Sequence, residues 1–161
     1  MPSRPLLFLD VDGPLIPFGA NASQHYFSFD SDSNPLLARL NPKLGPQLLS
    51  LPCDLVWATT WMDEANEVIA PRLGVPELPV VDWPDEDEVY DGLHWKTRGL
   101  VGWAAGRTFV WVDDEITEAD RRWVSTHHGG EALAYRVEAH LGLADADIAA
   151  IRTWLKQAAA N

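Results

Sequence analysis

The feature that most constrains the fold is the apolar run Leu6–Leu9, which is followed at once by Asp10, Asp12 and Gly13. An uninterrupted apolar run of this length is typical of a strand buried on both faces of a parallel sheet. Two carboxylates at the end of such a strand cost desolvation energy unless a cation or hydrogen-bond donors compensate them. Ligands of open α/β sheets bind at the carboxyl ends of the strands. The Asp-x-Asp-Gly segment therefore indicates a metal site, a carboxylate nucleophile, or both, although such strings also occur in Ca²⁺ loops and ordinary turns.

Further apolar runs that indicate strands alternate with segments of helical character. Strands are predicted at Leu55–Ala58, Leu78–Val81, Thr108–Val112 and Ala132–Val137, and Leu36–Leu40 is a further candidate. Helices are predicted at Met62–Arg72, Lys96–Ala105, Glu118–Thr126 and Asp145–Ala158, and another begins at Asn41 as N-cap with Pro42 at its first position. Strands that alternate with helices imply parallel βαβ units. The sequence therefore predicts an α/β fold, a three-layer sandwich around a central, mainly parallel five-stranded sheet.

Length and composition indicate one domain with a substantial core. The chain has 161 residues, of which 47% are hydrophobic, and a domain of this size buries most of its apolar surface. We expect a single domain over residues 1–161, in which residues 14–40 form a flap or minimal cap. Cys53 is the single cysteine and cannot form an internal disulfide. With no signal-peptide layout and no membrane-spanning run, a cytoplasmic protein is expected.

The formal net charge of −12 bears on the class of partner. It results from 24 acidic and 12 basic residues. A broad nucleic-acid-binding face needs clustered lysine and arginine, so this charge argues against nucleic acid without excluding it. A phosphorylated small molecule held through a metal ion is compatible with the charge. No membrane partner is expected, and the oligomeric state is left open.

The polar residues that follow three of the predicted strands, and a lysine that precedes the last of these strands, are suited to phosphate chemistry. In chain order they are Asp10, Asp12, Thr59, Lys96, Asp113 and Asp114. Their order, within FLDVDG, VWATTW and VWVDDE, resembles the four motifs of the haloacid dehalogenase-like (HAD) superfamily, whose members are mostly Mg²⁺-dependent phosphohydrolases. The resemblance covers essentially the whole chain, and residues 41–66 are more particularly similar to a small HAD subgroup associated with RNA-repair proteins. It implies a Rossmann-like HAD fold. The insertion at residues 14–34 is too short for a large cap, so we expect a small flap in its place.

The resemblance also implies catalytic roles for the first two aspartates. Asp10 would attack phosphorus and form an aspartyl-phosphate, which splits one difficult displacement into two. Asp12 would protonate the leaving oxygen and later deprotonate the attacking water. Pro14 departs from the pattern of many relatives, which carry threonine or another flexible residue there; it would stiffen the flap without touching the chemistry.

Mg²⁺ is the implied cofactor, because it prefers oxygen ligands in octahedral geometry. Asp10, the backbone carbonyl of Asp12, and Asp113 would supply the protein ligands. Asp114 would orient a water or Lys96, or would merely cap the following helix. Whether Asp113 or Asp114 is the direct ligand is left open.

Phosphate binding is assigned to a hydroxyl and an ammonium group. Thr59 is the expected hydroxyl and Thr60 its alternative, while Lys96 is the expected cation and Arg98 its rival. His25, Tyr26 and Trp61 are candidate substrate contacts. His94, His127 and His128 lie outside the motifs and are interpreted as structural or surface residues.

The sequence therefore predicts a Mg²⁺-dependent phosphatase that cleaves a phosphomonoester of a metabolite or nucleotide through an aspartyl-phosphate. One alternative is polynucleotide end repair, the removal of a terminal phosphate from RNA or DNA. Another is a non-catalytic domain on the same fold that binds phosphate or metal. A two-component receiver domain does not fit, because its acidic pair and its lone phosphorylated aspartate come in a different order along the chain.

Overall fold

The computed structural model describes residues 4–18, 40–83 and 93–160, which are built around a parallel sheet of four strands. The strands are β1 (Leu6–Leu9), β2 (Asp54–Trp57), β3 (Phe109–Asp113) and β4 (Ala132–Arg136), in the spatial order β2-β1-β3-β4. The helices are α1 (Leu44–Leu49), α2 (Ala70–Leu73), α3 (Thr97–Ala104), α4 (Glu118–His127) and α5 (Asp145–Ala160). Of the helices in these ranges, none combines the length and the apolar character that a membrane span requires.

The alternation of side chains along β1 divides the core into two halves. Leu7 and Leu9 pack in a cluster with residues of α1, α2 and α5, whereas Leu6 and Phe8 pack in a second cluster with residues of α3 and α4. Helices therefore cover both faces of the sheet, which explains why β1 is apolar throughout. Full burial of each such side chain contributes about 1.5–3 kcal/mol. The predicted α/β architecture with a parallel sheet and helices on both faces is confirmed.

A fifth strand is not confirmed among the described residues, because Leu78–Val81 does not form a strand there. It makes an isolated parallel bridge between Trp57 and Val80, in which Trp57 N donates to Pro79 O at 2.9 Å and Val81 N donates to Trp57 O at 3.0 Å. Pro79 has no N–H, so the ladder cannot extend through this segment. In the described part of the chain, the sheet therefore has four strands and one bridged segment beside β2. The further candidate strand is Leu36–Leu40, and its residues 36–39 lie outside the described part of the chain.

Two predicted helix starts are also wrong. The turn at Asn41 is real, since Asn41 Oδ1 accepts from Lys43 N at 3.0 Å, but α1 begins only at Leu44. The predicted Met62–Arg72 helix begins as a π-helical turn at Ala65–Ile69, which continues directly into α2. Met62 has a φ of 51° and therefore cannot be part of a right-handed helix.

The remaining element boundaries agree with the sequence predictions to within two residues, and such differences arise where helix ends fray. Gly74 ends α2 in the left-handed conformation, as predicted from its position.

Of the predicted flap, the structure describes residues 14–18 together with Leu40. Leu15 and Ile16 are buried there, and Gly13 N donates to Ile16 O at 3.0 Å. The first residues after the Asp-x-Asp-Gly segment are thus anchored to the core.

A buried carboxylate joins the start of α3 to the start of α4. Asp120 is fully buried; its Oδ1 accepts from His94 N at 2.7 Å and from the Thr97 hydroxyl at 2.8 Å. Its Oδ2 accepts from the N–H and the hydroxyl of Thr117, the N-cap of α4, each at 2.9 Å. Burial raises the pKa of Asp120, but these hydrogen bonds outweigh it and hold the pKa below its usual value. The segment that carries Lys96 is therefore fixed against α4.

Replacing Gly45 with alanine should destabilise the fold. A β-carbon at Gly45 would lie 1.7 Å from the carbonyl oxygen of Leu73, so α1 and α2 would have to separate. We expect a loss of about 1–3 kcal/mol in the free energy of unfolding, as in other overpacked cores, measured by urea denaturation. Gly102→Ala is the matched control: nothing lies near its position in α3, so it should stabilise by about 0.4–1 kcal/mol. Equal effects of the two substitutions would contradict the packing.

Asp120→Asn should lower stability at neutral pH by about 2–3 kcal/mol, because an amide cannot accept all the hydrogen bonds of the carboxylate. The pKa of Asp120 is lower in the folded than in the unfolded state. The contribution of the Asp120 carboxylate to stability is therefore fully present above pH 3.8, the usual aspartate pKa. It is lost as the pH falls through the lower pKa of the folded state. The stabilities of wild type and variant should begin to converge as the pH falls below about 3.8 and should meet below the folded-state pKa, as followed by urea denaturation at each pH. Glu118→Gln, at an exposed carboxylate of α4, should change stability by less than about 0.5 kcal/mol throughout.

Candidate active site

The register of the sheet brings the first and last acidic motifs together. Leu9 pairs with Trp57 on β2 and with Val112 on β3. Asp10, the next residue, donates its N–H to Val112 O at 3.1 Å and therefore lies beside Asp113, the last residue of β3. Both aspartates are buried, at 7% and 1% exposure. The carboxyl edge of the sheet thus holds two buried carboxylates from segments about a hundred residues apart.

The ammonium group of Lys96 lies between these two carboxylates. Its Nζ is 2.8 Å from Asp113 Oδ2 and 3.1 Å from Asp10 Oδ1, and the side chain is 4% exposed. Lys96 is the N-cap of α3 and stands over the ring of Trp95, with Nζ 5.4 Å from its centre. Arg98, the rival cation, is the second residue of α3 and lies beside residues of α4. Of these two cations, Lys96 is the one in contact with the motif aspartates.

The charges of this cluster shift the pKa values of its members. Burial raises the pKa of Asp10 to about 8, with Lys96 opposing and Asp113 adding to the rise. Burial and the charge of Asp113 likewise raise the pKa of Asp114 to about 6. Burial alone would lower the pKa of Lys96, but Asp10 and Asp113 outweigh it and raise that pKa. The cluster therefore has an excess of negative charge that one lysine does not balance.

The donor set fits a hard divalent cation. Asp10, Asp113 and Asp114 each offer a carboxylate oxygen, and these oxygens lie within 4.8 Å of one another. An all-oxygen set of this kind is what Mg²⁺ prefers. Asp113 already accepts from Lys96 through Oδ2 and from Glu115 N through Oδ1, at 3.0 Å. Asp114 is half-buried and more accessible than Asp113.

Asp114 does not cap the helix that follows it. The N-cap of α4 is Thr117, which accepts from Asp120 N, and the Asp120 side chain accepts from Thr117 N in return. This reciprocal pair is a capping box with aspartate as its second member. The capping alternative for Asp114 is therefore wrong.

The turn after β1 depends on Gly13. Its φ is +99°, a conformation that residues with a β-carbon rarely adopt. A β-carbon there would also lie 2.8 Å from Cγ of Asp114. Glycine thus allows the Asp-x-Asp-Gly turn to approach the acidic end of β3. Asp12, immediately before it, is half-buried at the same edge.

The second motif lies at the end of β2 and contacts the first motif through Trp61. Thr59 is fully buried, and its Oγ1 accepts from Trp61 N at 3.2 Å. The indole Nε1 of Trp61 donates to Asp12 Oδ2, also at 3.2 Å. Thr60 is exposed at the same turn. The structure therefore brings Trp61 into the site, in contact with Asp12.

Sequence reasoning missed three residues that support this site. Trp83 donates from Nε1 to Thr59 O at 3.1 Å, and His94 Nδ1 accepts from Lys96 N at 3.1 Å. Asp120 fixes the segment that carries both His94 and Lys96. The Thr117-x-x-Asp120 pattern is a sequence signal for a capping box, whereas no local pattern indicates Trp83. The sequence indicates a structural or surface role for His94; the structure buries its side chain, at 7% exposure, with Nε2 3.4 Å from Glu115 Oε2.

Two of the histidines interpreted as structural or surface residues make contacts away from the motif residues. His127 stacks on Trp123, and His128 contacts the carbonyl oxygen of Arg107. Two of the candidate substrate contacts, His25 and Tyr26, lie outside the described residues.

Comparison with protein families places these motifs in a known domain. Residues 6–148 match the HAD domain in Swiss Army Knife RNA repair proteins. The matched range includes every motif residue discussed above. Comparisons with curated proteins and with solved structures give no match. The parallel α/β sheet is consistent with the Rossmann-like fold of such domains. The chain belongs to this family: it is a HAD-like domain related to those of RNA-repair proteins.

Proposed function

We propose that this protein is a Mg²⁺-dependent phosphohydrolase that cleaves phosphomonoesters through an aspartyl-phosphate on Asp10. The observation that carries the proposal is Lys96 Nζ between Asp10 and Asp113, with Asp114 in the same cluster. Phosphoryl transfer depends mainly on positioning and on neutralisation of charge, and this cluster offers a nucleophile, a cation and oxygen ligands together. The family assignment is to a HAD-type domain and supports a hydrolase.

Asp10 would act as the nucleophile. Lys96 contacts its Oδ1, which leaves Oδ2 to attack phosphorus. A bond forms between Asp10 Oδ2 and phosphorus as the bond from phosphorus to the leaving oxygen breaks, and Asp12 gives its proton to that oxygen. Water then attacks phosphorus while Asp12 takes one of its protons. The bond between Asp10 and phosphorus breaks, which releases inorganic phosphate and restores the Asp10 carboxylate.

Phosphate binding would use the second motif together with Lys96. The Thr59 oxygen already accepts a hydrogen bond from Trp61 N, so its O–H proton is the part that would donate to a phosphoryl oxygen. Thr60 is exposed at the same turn and is the alternative donor. Lys96 is a compact point charge whose raised pKa keeps it protonated beside the transferred group.

Asp10, Asp113, Asp114 and the backbone carbonyl of Asp12 would hold the Mg²⁺ ion. When bound, the ion supplies positive charge to the phosphoryl oxygens and to the clustered carboxylates. The two lone-pair sites of each carboxylate oxygen allow Asp113 to bind a metal while it also accepts from Lys96 and Glu115. The greater exposure of Asp114 favours it as a direct ligand as well.

The substrate is proposed to be a phosphorylated metabolite or nucleotide, with the terminal phosphate of a polynucleotide as the second candidate. The family description favours RNA, since it names RNA repair proteins. The net charge of −12 opposes a long nucleic-acid interface, but a single terminal phosphate requires only a local site. A fold by itself does not identify the substrate.

Asp10→Asn should lower the rate of phosphate release by about 1,000-fold or more, because it removes the nucleophile of the covalent route. The assay would compare sugar phosphates, nucleotides and phosphate-ended oligoribonucleotides, with and without Mg²⁺. Glu77→Gln, at an exposed carboxylate away from the site, should retain full activity. A hydroxylamine-sensitive phosphoprotein after acid quench should appear with wild type and be absent from the variant.

Full activity of Asp10→Asn would refute the mechanism. Release from mononucleotides but never from oligonucleotide ends would exclude end repair. No release from any substrate by wild type, together with retained Mg²⁺ binding, would favour the non-catalytic alternative.

Asp114→Asn should weaken Mg²⁺ binding about tenfold or more, since loss of a carboxylate ligand removes both a charge and a coordinating atom. Isothermal titration calorimetry with MgCl₂ at constant ionic strength would measure the change. Glu77→Gln should bind Mg²⁺ as wild type does. Unchanged affinity in Asp114→Asn would remove Asp114 from the ligand set.

A further inference from the structure

Trp61 makes two hydrogen bonds that link the first two motifs. Its backbone N–H donates to Thr59 Oγ1 and its indole Nε1–H donates to Asp12 Oδ2, both at 3.2 Å. The first bond holds the residue to the end of β2, and the second reaches across to the turn that follows β1. An indole can only donate, so the Asp12 oxygen that faces it acts as an acceptor.

The backbone around Trp61 is shaped to make this contact. Met62, the next residue, has a φ of 51°, which is unfavourable for a side chain with a β-carbon. Unfavourable backbone conformations of this kind are found most often at active sites and ligand-binding sites. The chain turns there before the π-helical segment at Ala65–Ile69 begins. The indole itself is half-buried against the core cluster that contains Leu9 and Val11, so its ring has little freedom to rotate.

We propose that Trp61 is a positioning residue for Asp12, the acid and base of the reaction; this role rests on the proposed phosphatase function. With Oδ2 occupied as an acceptor, the transferable proton of Asp12 is carried by Oδ1. That proton passes to the leaving oxygen as its bond to phosphorus breaks and as Asp10 bonds to phosphorus. Trp61 thus holds Asp12 in one rotamer with the proton directed into the site, and it takes no part in the bond changes itself.

The role predicts a dependence on the leaving group that a substrate contact or a purely structural role would not produce. Phenyl phosphate and p-nitrophenyl phosphate differ only in a para nitro group, but only phenolate is basic enough to need a proton as it departs. The value of kcat/KM reports the transfer of phosphoryl to Asp10 for both esters. Because general-acid catalysis contributes about 100–10,000-fold, misplacement of the acid should affect one ester and spare the other.

The experiment measures kcat/KM for both esters with wild type, Trp61→Phe, Asp12→Ala and the double variant. Phenylalanine keeps an aromatic ring against the core but has no donor. We expect Trp61→Phe to lower kcat/KM about tenfold or more with phenyl phosphate and less than about threefold with p-nitrophenyl phosphate. In the Asp12→Ala background the same substitution should have no further effect on phenyl phosphate. Trp103→Phe, at a 37%-exposed indole on α3, is the control and should leave both values unchanged.

A second readout tests the hydrogen bond without turnover. The exchange rate of the Trp61 indole N–H with solvent, followed by NMR, should rise in Asp12→Ala, whereas that of Trp103 should not change. Thermal melting would confirm that each variant is folded.

The outcomes separate the two proposals. If Trp61→Phe lowers kcat/KM equally for both esters, or lowers it for neither, the positioning role is overturned while the phosphatase function stands. An indole exchange rate that Asp12→Ala leaves unchanged overturns it as well. Wild type that hydrolyses neither ester nor any substrate of the wider panel overturns the proposed function and the role of Trp61 together.

Discussion

The buried ammonium group of Lys96, held between Asp10 and Asp113, is the interaction on which the rest of the structure depends. Removing a charge from water is costly, and only close, well-oriented partners offset that cost. Here both partners come from adjacent strands of the parallel sheet and are themselves buried. The ammonium group is therefore compensated only when both carboxylates are in place, and both carboxylates depend on the same ammonium group for compensation. Any shift in the register of β1 against β3 would leave at least one of them uncompensated.

The surroundings keep the three charges in place from two sides. On one side, Asp120 holds the segment before α3 through hydrogen bonds to His94 and Thr97, and so fixes the origin of the Lys96 side chain. On the other side, the indoles of Trp61 and Trp83 donate to Asp12 and to the carbonyl of Thr59. Polar groups in these loops are paired with one another, as burial requires. The site is thus supported from the helices as well as from the sheet.

An excess of negative charge remains after these contacts are made. Three carboxylates share one lysine, and burial together with the charge of Asp113 raises the pKa values of Asp10 and Asp114 to about 8 and about 6. Such perturbed groups cluster at functional sites more often than elsewhere. A divalent cation and a phosphoryl group would balance the charges in turn. The arrangement is therefore understandable as a site for phosphate chemistry and costly as a purely structural one.

The sequence by itself determined the parallel α/β class and the motif residues, because apolar strands and the polar residues at their ends are local patterns. Pro79 lacks an N–H in any fold, but the sequence did not reveal which residue of β2 this segment pairs with, and the single bridge at Val80 follows from that pairing. Nor did it reveal the late helix start after Met62, whose left-handed backbone accompanies a hydrogen bond from Trp61 to Asp12. The contacts of Asp120, Trp61 and Trp83 join segments that are distant in the chain. Only tertiary structure decided these, because pairing between distant polar groups depends on which surfaces the packed core brings together and leaves no periodic trace in the sequence.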